Sequence, residues 1–208
     1  MSIQQSLKKN WLKLLIIAVT AIFAILSFIK ISDTIGSQKV FVPSEFFQAR
    51  SKGAVLADEI VILSKESINN LAEISAEEEI SNYTAGLELV LLEVDRNAKS
   101  RTKALSLSEE LGTMASSLSE VKPENAAEIG LQAIINESQI AQRLINYNNY
   151  TLQLLGVLQT RFENGGGSPE TDKKVKELIE KMNEEASAIN ELNENYLKLM
   201  SEFDALTQ

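Results

Sequence analysis

The chain has 208 residues, with 20 Lys and Arg against 29 Asp and Glu, and it contains no Cys and no His. The absence of Cys excludes disulfides, thiolate nucleophiles and zinc fingers. The absence of His excludes imidazole bases, Ser-His-Asp triads and Glu-x-x-His di-iron sites. Residues 31–208 carry 16 bases against 29 acids, and this net charge of −13 repels nucleic-acid phosphates. We therefore expect no enzymatic activity, no cofactor, no metal site and no nucleic-acid partner.

The first predicted element is an apolar segment at residues 11–31. The sixteen residues between Lys13 and Lys30 include no charged residue, no Gly and no Pro. As a helix they would rise about 24 Å, and snorkelling of the two lysines, with Trp11 in the headgroup layer, would extend the span toward the ~30 Å hydrocarbon core. We interpret this segment as an uncleaved transmembrane anchor bordered by Trp11, Lys13 and Lys30.

A cleaved signal peptide and a buried soluble helix are the alternatives for this segment. A signal peptide is disfavoured because the apolar region is long for one and no A-x-A-like cleavage site follows Lys30. Lys8, Lys9 and Lys13 precede or border the segment and favour a cytoplasmic N-terminus at residues 1–10. The predicted location is the cell membrane, with one span and with the later residues outside the cytoplasm.

After the anchor, the sequence predicts a short juxtamembrane linker at 32–43 and four helices within 44–208. Proline is favoured in the first helical turn, so Pro43, Pro123 and Pro169 mark three helix starts. The remaining start is expected after Ser75, because Ser75 and Glu78 have the spacing of a capping box. The predicted helices are 44–74, 76–121, 124–163 and 169–206.

Each predicted helix carries apolar residues at alternating spacings of three and four, which is the pattern of a coiled-coil seam. No segment alternates with period two, so no strand is expected. The residues expected to face the core are Phe46, Leu56, Ile60, Leu63 and Ile74 in the first helix; Ile80, Leu87, Leu91, Val94, Arg101, Leu105, Ser108, Leu111, Ala115 and Leu118 in the second; Ile134, Ala141, Leu144, Asn148, Leu155, Leu158 and Phe162 in the third; and Val175, Leu178, Met182, Ile189, Leu192, Tyr196, Leu199, Phe203 and Leu206 in the fourth.

Short connections between long amphipathic helices make neighbouring helices antiparallel. The predicted fold is therefore all-α, with an N-terminal single transmembrane helix followed by an elongated antiparallel four-helix bundle with coiled-coil-like packing. Two hairpins completed by another subunit are the alternative packing. Single glycines inside the predicted helices cost helix stability, and close approach of another helix is expected to explain some of them. They are Gly53, Gly86, Gly112, Gly130 and Gly156.

Three polar residues interrupt the predicted seams at similar heights. Folding the helices about their connections places Arg101, Asn148 and Glu185 within about one turn of each other. They are expected to form a buried polar layer, with Arg101 paired to Glu185 beside Asn148, that specifies the register of the helices. A small-molecule pocket between the helices and an arrangement exposed to water are the alternatives.

The sequence favours a non-enzymatic, membrane-anchored envelope protein whose helical rod is a scaffold or a protein-interaction module. One anchor, continuous heptads and the absence of catalytic residue types are the observations behind this hypothesis. The expected partners are the membrane, through one span, and other envelope proteins or a second copy of the chain, through helical surfaces. The alternative function is a ligand-binding or sensory accessory domain that uses the mid-bundle polar pocket.

Overall fold

The computed structural model describes residues 40–208, and this part of the chain is a bundle of four long helices. Within it no strand is found, and a single backbone bridge pairs Phe41 with Lys122. The all-α class predicted from the sequence is confirmed for these residues. The helices are α1 at Ser44–Glu79, α2 at Tyr83–Ser117, α3 at Glu124–Glu163 and α4 at Pro169–Thr207, and a 3-10 turn at Leu118–Glu120 follows α2.

The predicted membrane anchor at residues 11–31 lies outside the described residues. In the described range 40–208, none of the helices has an apolar stretch long enough to span a lipid bilayer. The helices contain 35 to 40 residues and are therefore about 52–60 Å long, so the bundle is a rod. We call the end that holds residue 40 and the C-terminus the base end, and the end that holds the connections 80–82 and 164–168 the loop end.

Ion pairs between α1 and α2 show that the two helices are antiparallel, because the residue number rises along one helix as it falls along the other. The α3–α4 pair has the same arrangement. The α1–α2 pairs are Lys52 with Glu110 at 3.6 Å, Glu59 with Lys103 at 2.7 Å and Glu66 with Arg96 at 3.2 Å. The α3–α4 pairs are Arg143 with Glu185 at 3.0 Å and Arg161 with Asp172 at 2.8 Å.

The first helix is longer than predicted, and the boundary expected after Ser75 is wrong. α1 continues through Ser75, which is buried, and Glu78 forms an ion pair with Arg161 of α3 at 2.5 Å instead of capping a new helix. The helix ends just before Ser81, whose positive φ of 59° is the left-handed conformation that commonly follows helix C-termini. A connection of three residues then leads into α2.

The apolar side chains form two cores along the rod. The core at the base end includes Phe46, Ile60, Leu107, Leu111, Met114, Ala133, Ile140, Ile189, Met200 and Phe203. The core at the loop end includes Leu71, Ile74, Val90, Leu154, Leu155, Leu158, Phe162, Val175, Leu178 and Met182. All four helices contribute to both cores, so each core joins the whole bundle.

The seams of α3 and α4 face the core as the sequence predicts. In α3 the buried residues include Ile134, Ala141, Leu144, Asn148, Leu155, Leu158 and Phe162. In α4 they include Val175, Leu178, Met182, Ile189, Tyr196 and Phe203, whereas the predicted Leu192, Leu199 and Leu206 are half-buried against the base-end core. These two helices each carry one dominant apolar stripe, so their rotation follows from the sequence pattern alone.

The predicted seam of α2 is wrong for most of its length, because Leu91, Val94, Arg101 and Leu105 lie on the exposed surface. The helix is rotated so that a neighbouring heptad stripe faces the core. We call this buried set the inner stripe; it consists of Gly86, Val90, Glu93, Asn97, Ser100, Ala104, Leu107, Leu111 and Met114. We call the other set the outer stripe; it consists of Leu87, Leu91, Val94, Ala98, Arg101, Leu105, Ser108, Gly112 and Ala115.

Contacts between α1 and α4 at the base end complete the bundle. The rings of Phe46 and Phe203 stack with their centroids 5.0 Å apart. Arg50 donates two hydrogen bonds to the carboxylate of Asp204, at 2.6 and 2.9 Å. This bidentate, partly buried geometry is the strong form of an ion pair. The first and last helices are thereby joined where the chain enters the bundle.

Close approach explains some of the helical glycines. A Cβ atom at Gly86 would lie 2.6 Å from the ring of Phe162, and one at Gly130 would lie 2.9 Å from Leu118. By contrast, no atom lies within 4 Å of a Cβ built at Gly112 or Gly156. Packing therefore requires glycine at positions 86 and 130, whereas positions 112 and 156 lie on open surface.

Gly86→Ala is expected to lower the free energy of unfolding by about 1–2 kcal/mol, because overpacking against Phe162 outweighs the gain in helix propensity. Gly156→Ala is the matched control and is expected to raise the free energy of unfolding by about 0.5–1 kcal/mol, since Ala favours the helix and the site is open. Urea unfolding followed by circular dichroism measures both changes. Equal stabilisation by the two variants would contradict the packing requirement at Gly86.

Candidate functional site

A layer of polar side chains lies between the two apolar cores and joins three helices. Most of its members are buried, and each takes part in a hydrogen bond within the layer, as buried polar groups require. We call this set the polar layer; it consists of Ser67 and Asn70 of α1, Glu93, Arg96, Asn97 and Ser100 of α2, and Asn148 of α3.

Glu93 is the centre of the polar layer and is 0% exposed. One of its carboxylate oxygens accepts a hydrogen bond from the Ser67 hydroxyl. The other accepts hydrogen bonds from Asn70 Nδ2 at 3.1 Å and from Arg96 Nη1 at 2.6 Å. Burial raises the pKa of Glu93, and the bonds from Ser67 and Arg96 offset only part of that rise. Arg96 also pairs with Glu66 at 3.2 Å, so this guanidinium links the layer to the surface.

Asn148 connects α3 to the polar layer through both ends of its amide. Its oxygen accepts a hydrogen bond from Asn97 Nδ2 at 3.2 Å, and its nitrogen donates to the Ser100 hydroxyl at 3.3 Å. Because Asn148 is buried, sliding α3 by one turn would leave its amide without partners. These bonds therefore specify the axial position of α2 against α3.

The other two residues of the predicted layer lie outside this network. Arg101 is exposed on the outer stripe, and its predicted ion pair with Glu185 does not form, because the rotation of α2 turns Arg101 away from the core. Glu185 is buried, but it accepts hydrogen bonds from Arg143 Nη1 at 3.0 Å and Asn146 Nδ2 at 3.3 Å. Both partners belong to α3, so Glu185 joins α4 to α3 in a separate network.

Sequence reasoning missed Glu93, although the sequence contains a signal for it. Glu93, Asn97 and Ser100 follow one another at intervals of four and three, which is the spacing of a seam. Ser67 and Asn70 have a seam interval of three on α1. Polar residues at seam spacing therefore indicate the polar layer, whereas the apolar pattern of α2 favours the outer stripe.

A small cavity lies within the polar layer, next to Glu93, Tyr147 and Thr151. Its volume is about 20 Å³, which is room for about one water molecule. Pockets that bind metabolites measure roughly 300–1,000 Å³. Within residues 40–208, no group of three or more acidic side chains is placed to hold a metal ion. The cavity in the polar layer is thus far smaller than a pocket that binds a metabolite.

A further acid, Glu137 of α3, lies among the side chains of the base-end core. It accepts a hydrogen bond from the Tyr196 hydroxyl and lines a second cavity of about 20 Å³ together with Asn193. Burial raises the pKa of Glu137 to about 7, although the Tyr196 hydroxyl and the positive charge of Arg50 lower it. Burial and the neighbouring Glu137 raise the pKa of Tyr196. Glu137 therefore changes its charge near neutral pH.

The outer stripe exposes large apolar side chains. Leu91 is 63% exposed, Leu105 is 48% exposed and Val94 is 36% exposed. The hydrogen bonds of Asn148 with Asn97 and Ser100 set the relative heights of α2 and α3, and they place Leu152 of α3 near the height of Val94. We call the outer stripe together with the exposed Leu131 and Leu152 of α3 the α2–α3 face.

Charged residues are concentrated on the other two helices. α1 carries eight acids and three bases, and α4 carries ten acids and five bases. By contrast, α2 carries five acids and four bases, and α3 carries four acids and two bases. From residue 129 to residue 160, the charged residues of α3 are Glu137 in the core and Arg143 in its pair with Glu185. The α2–α3 face is therefore poor in charge.

Comparison of the chain with protein families, with characterised proteins and with solved structures found no match. No relative therefore indicates a function for this chain. The candidate sites are those that the described residues themselves form, namely the polar layer, the acid at Glu137 and the α2–α3 face.

Glu93→Leu is expected to lower the free energy of unfolding by about 2 kcal/mol or more, because it removes the buried acceptor that Ser67, Asn70 and Arg96 share. Arg96 then keeps only Glu66, and Asn70 keeps only the Leu89 carbonyl. Glu185→Leu is the matched change on α4. It is expected to cost less than about 1 kcal/mol, since the side chain of its partner Arg143 is 44% exposed and remains hydrated. Urea unfolding measures both variants. A loss for Glu185→Leu as large as that for Glu93→Leu would contradict the central position of Glu93.

Glu137 is expected to make the bundle less stable at pH 8 than at pH 5. Its pKa is about 7 in the folded chain and 4.5 as its ordinary value, so the folded state binds this proton more tightly. The resulting stabilisation is complete below pH 4.5 and is lost as the pH rises through 7. The loss between the two conditions is on the order of 2 kcal/mol, measured by urea unfolding at each pH.

Glu137→Gln, which stays uncharged, is expected to remove this part of the pH dependence and to be more stable than the wild type at pH 8. Glu128→Gln is the matched control, because it makes the same change at an exposed position of the same helix. An unchanged pH profile in Glu137→Gln would show that another group causes the difference.

Proposed function

We propose that this chain is a non-enzymatic envelope protein, held in the cell membrane by residues 11–31, whose four-helix rod is a scaffold or protein-interaction module outside the cytoplasm. The observation that carries the proposal is the α2–α3 face. Its outer stripe repeats at heptad spacing, which is the spacing that another helix needs in order to pack along it.

The composition of the α2–α3 face supports a protein partner. The cores of protein interfaces are depleted in charge and enriched in apolar side chains. Leu91, Val94 and Leu105 are exposed on α2, and Leu131 and Leu152 are exposed beside them on α3. Single exposed leucines are common on soluble proteins, whereas a row at seam spacing along one helix indicates an interaction surface.

The base end supports attachment to a membrane. The chain enters α1 at this end, and Val40, Phe41 and Phe47 are exposed there. Aromatic and apolar side chains suit the headgroup region of a bilayer. An anchor that precedes residue 40 would set this end of the rod next to the membrane and direct the loop end away from it, by up to about 60 Å.

The alternative function, a ligand-binding or sensory accessory domain, has less support. It would use the polar layer as a pocket, and the cavity there measures about 20 Å³. A ligand larger than water would have to separate α1 from α2 and break the hydrogen bonds to Glu93. We therefore place the interaction on the outside of the bundle.

In-cell crosslinking of the full chain tests the proposal. The wild-type chain is expected to stay with membranes after a carbonate wash, to keep Trp11 in its mature N-terminus, and to crosslink to a protein partner. Leu91→Glu is expected to reduce that crosslink roughly tenfold, because a carboxylate buried in an apolar interface loses hydration.

Ile62→Glu on α1 is the matched control, since Ile62 is 55% exposed but lies outside the α2–α3 face. This variant should crosslink as the wild type does. Equal crosslinking by Leu91→Glu and the wild type would refute the interaction face, and a soluble form that begins near Ser37 would refute the anchor.

A further inference from the structure

Two glycines on the side of the rod formed by α2 and α3 have no packing role within the single chain. A Cβ atom at Gly112 of α2 or at Gly156 of α3 would meet no atom within 4 Å. Gly112 belongs to the outer stripe, and Gly156 follows Leu152 by one helical turn. Glycine inside a helix is less favourable than alanine. A helix of another molecule that packed into these two open positions would compensate for that loss.

Large exposed side chains lie at the same heights as these glycines, on the neighbouring helix. The hydrogen bonds of Asn148 fix the heights of α2 and α3. About eight residues from these bonds toward the loop end lie Leu91 on α2 and Gly156 on α3, and about thirteen residues toward the base end lie Gly112 on α2 and Ile135 on α3. Leu91 is 63% exposed and Ile135 is 48% exposed. At two heights, therefore, one helix projects where the other is open, and the order of the two helices is reversed between them.

A twofold axis parallel to the rods brings the large side chains onto the open positions. Rotation about such an axis keeps every residue at its height and places α2 of each copy against α3 of the other copy. Leu91 of one copy then faces Gly156 of the second copy, and Ile135 of one copy lies beside Gly112 of the second. Each of these contacts occurs twice. Packing of large side chains into open positions is what a close helix–helix contact requires.

The charge of Arg101 favours the packing of α2 on α3 over the packing of α2 on α2. Arg101 is exposed, and direct parallel packing of two α2 helices would set two of these guanidinium groups against each other. With α2 on α3, the two Arg101 residues belong to diagonally opposite helices whose axes are about 11–14 Å apart. Each side chain can then turn toward the facing α3, where the amide oxygens of Gln142 and Asn149 lie within about one turn of its height.

The remaining charges also leave this side as the one on which two copies repel each other least. From residue 129 to residue 160, the charged residues of α3 are Glu137 in the core and Arg143 in its pair with Glu185, so the facing α3 presents no unpaired charge to Arg101. By contrast, α1 and α4 each have five more acids than bases. Two copies that approached through α1 or α4 would bring strongly acidic helices together.

The direction of the axis matches chains that are anchored in one membrane. Because the axis is parallel to the rods, the base ends of both copies lie at the same end of the pair. Two anchors at residues 11–31, each preceding the base end of its own rod, could then enter the same bilayer. An axis perpendicular to the rods would place the two base ends at opposite ends of the pair.

From these observations we infer that the α2–α3 face binds a second copy of this chain side by side, with α2 of each copy packed on α3 of the other and both base ends together. The inference rests on the proposed function and names the partner of that face. Residues 91–112 of α2 span about 32 Å, and two adjacent helices are about 20 Å wide. Each copy therefore covers roughly 600 Å², and the total of about 1,200 Å² is at the lower limit of standard interfaces.

Single cysteines test the pairing directly, because the chain contains no Cys of its own. A disulfide needs two Cα atoms within about 7 Å of each other. In detergent, oxidation of full-length Leu91→Cys mixed with full-length Gly156→Cys should give roughly tenfold more linked dimer than Asn69→Cys mixed with Gly156→Cys. Asn69 is exposed on α1 at a height similar to that of Leu91. Leu91→Cys alone should link weakly, because its two copies lie on diagonally opposite helices. Circular dichroism checks that each variant stays helical.

Gly156→Leu tests the open position itself. In the single chain the new side chain lies on open surface and favours the helix, so the free energy of unfolding should not fall. In the pair it would occupy the space of Leu91 of the second copy, so the Kd of the dimer should rise about tenfold or more. Ser187→Leu adds the same side chain to the exposed surface of α4 and should leave the Kd unchanged. Sedimentation equilibrium in detergent measures the Kd, and urea unfolding measures the stability.

Linking of Leu91→Cys to itself at the yield of the mixture with Gly156→Cys would overturn the packing of α2 on α3. Equal yields from the two mixtures, or an unchanged Kd for Gly156→Leu, would overturn the second copy as the partner. In that case, loss of an in-cell crosslink to a different protein in Leu91→Glu would leave the proposed function standing. Absence of both effects would overturn the inference and the proposed function together.

Discussion

The burial of Glu93 is the constraint on which the packing of the bundle depends. A carboxylate with no exposed surface costs several kcal/mol to desolvate unless hydrogen bonds and a positive charge compensate for it. The three donors that compensate for Glu93 belong to α1 and α2. The three hydrogen bonds to the carboxylate therefore form at one rotation and one axial register of α1 against α2. The next polar residues of the inner stripe hydrogen-bond to Asn148, which extends the constraint to α3.

The rotation that satisfies Glu93 leaves most of the more apolar stripe of α2 in water, and only Leu87 and Ala115 at its ends pack partly against the cores. Turning Leu91 and Leu105 inward would bury more apolar surface, but it would also bring Arg101 into the core and leave Asn70 and Asn148 without partners on α2. Burying an unpaired charge and two unpaired amides costs more than a few leucines contribute. The exposure of the outer stripe therefore follows from the polar layer. The surface available to a partner results from the rotation of α2 that gives the buried polar groups their hydrogen bonds.

The sequence predicts the fold class, the number of helices and the rotation of α3 and α4, because each of these follows from a pattern that is local in the chain. The rotation of α2 depends on partners that are distant in sequence. Asn70 is 23 residues from Glu93, and Asn148 is 51 residues from Asn97. Apolar periodicity ranks the outer stripe above the inner one and so selects the wrong rotation. The boundary expected at Ser75 is wrong for the same reason, since the partner of Glu78 is Arg161, 83 residues away.

The outside of the rod also differs between its two sides, because the net charge is distributed unequally among the helices. α1 and α4 are joined by Arg50 and Asp204 at the base end, and both helices carry a large excess of acids on their outer sides. Like charge at that density opposes close contact with another acidic protein and keeps the two helices hydrated. α2 and α3 bury some of their polar residues in the polar layer, and outward they expose leucine, glutamine, serine and glycine together with charges of both signs that nearly cancel on α2. The side formed by α1 and α4 therefore stays hydrated. The α2–α3 face costs less to desolvate, so a protein partner can bind there more readily.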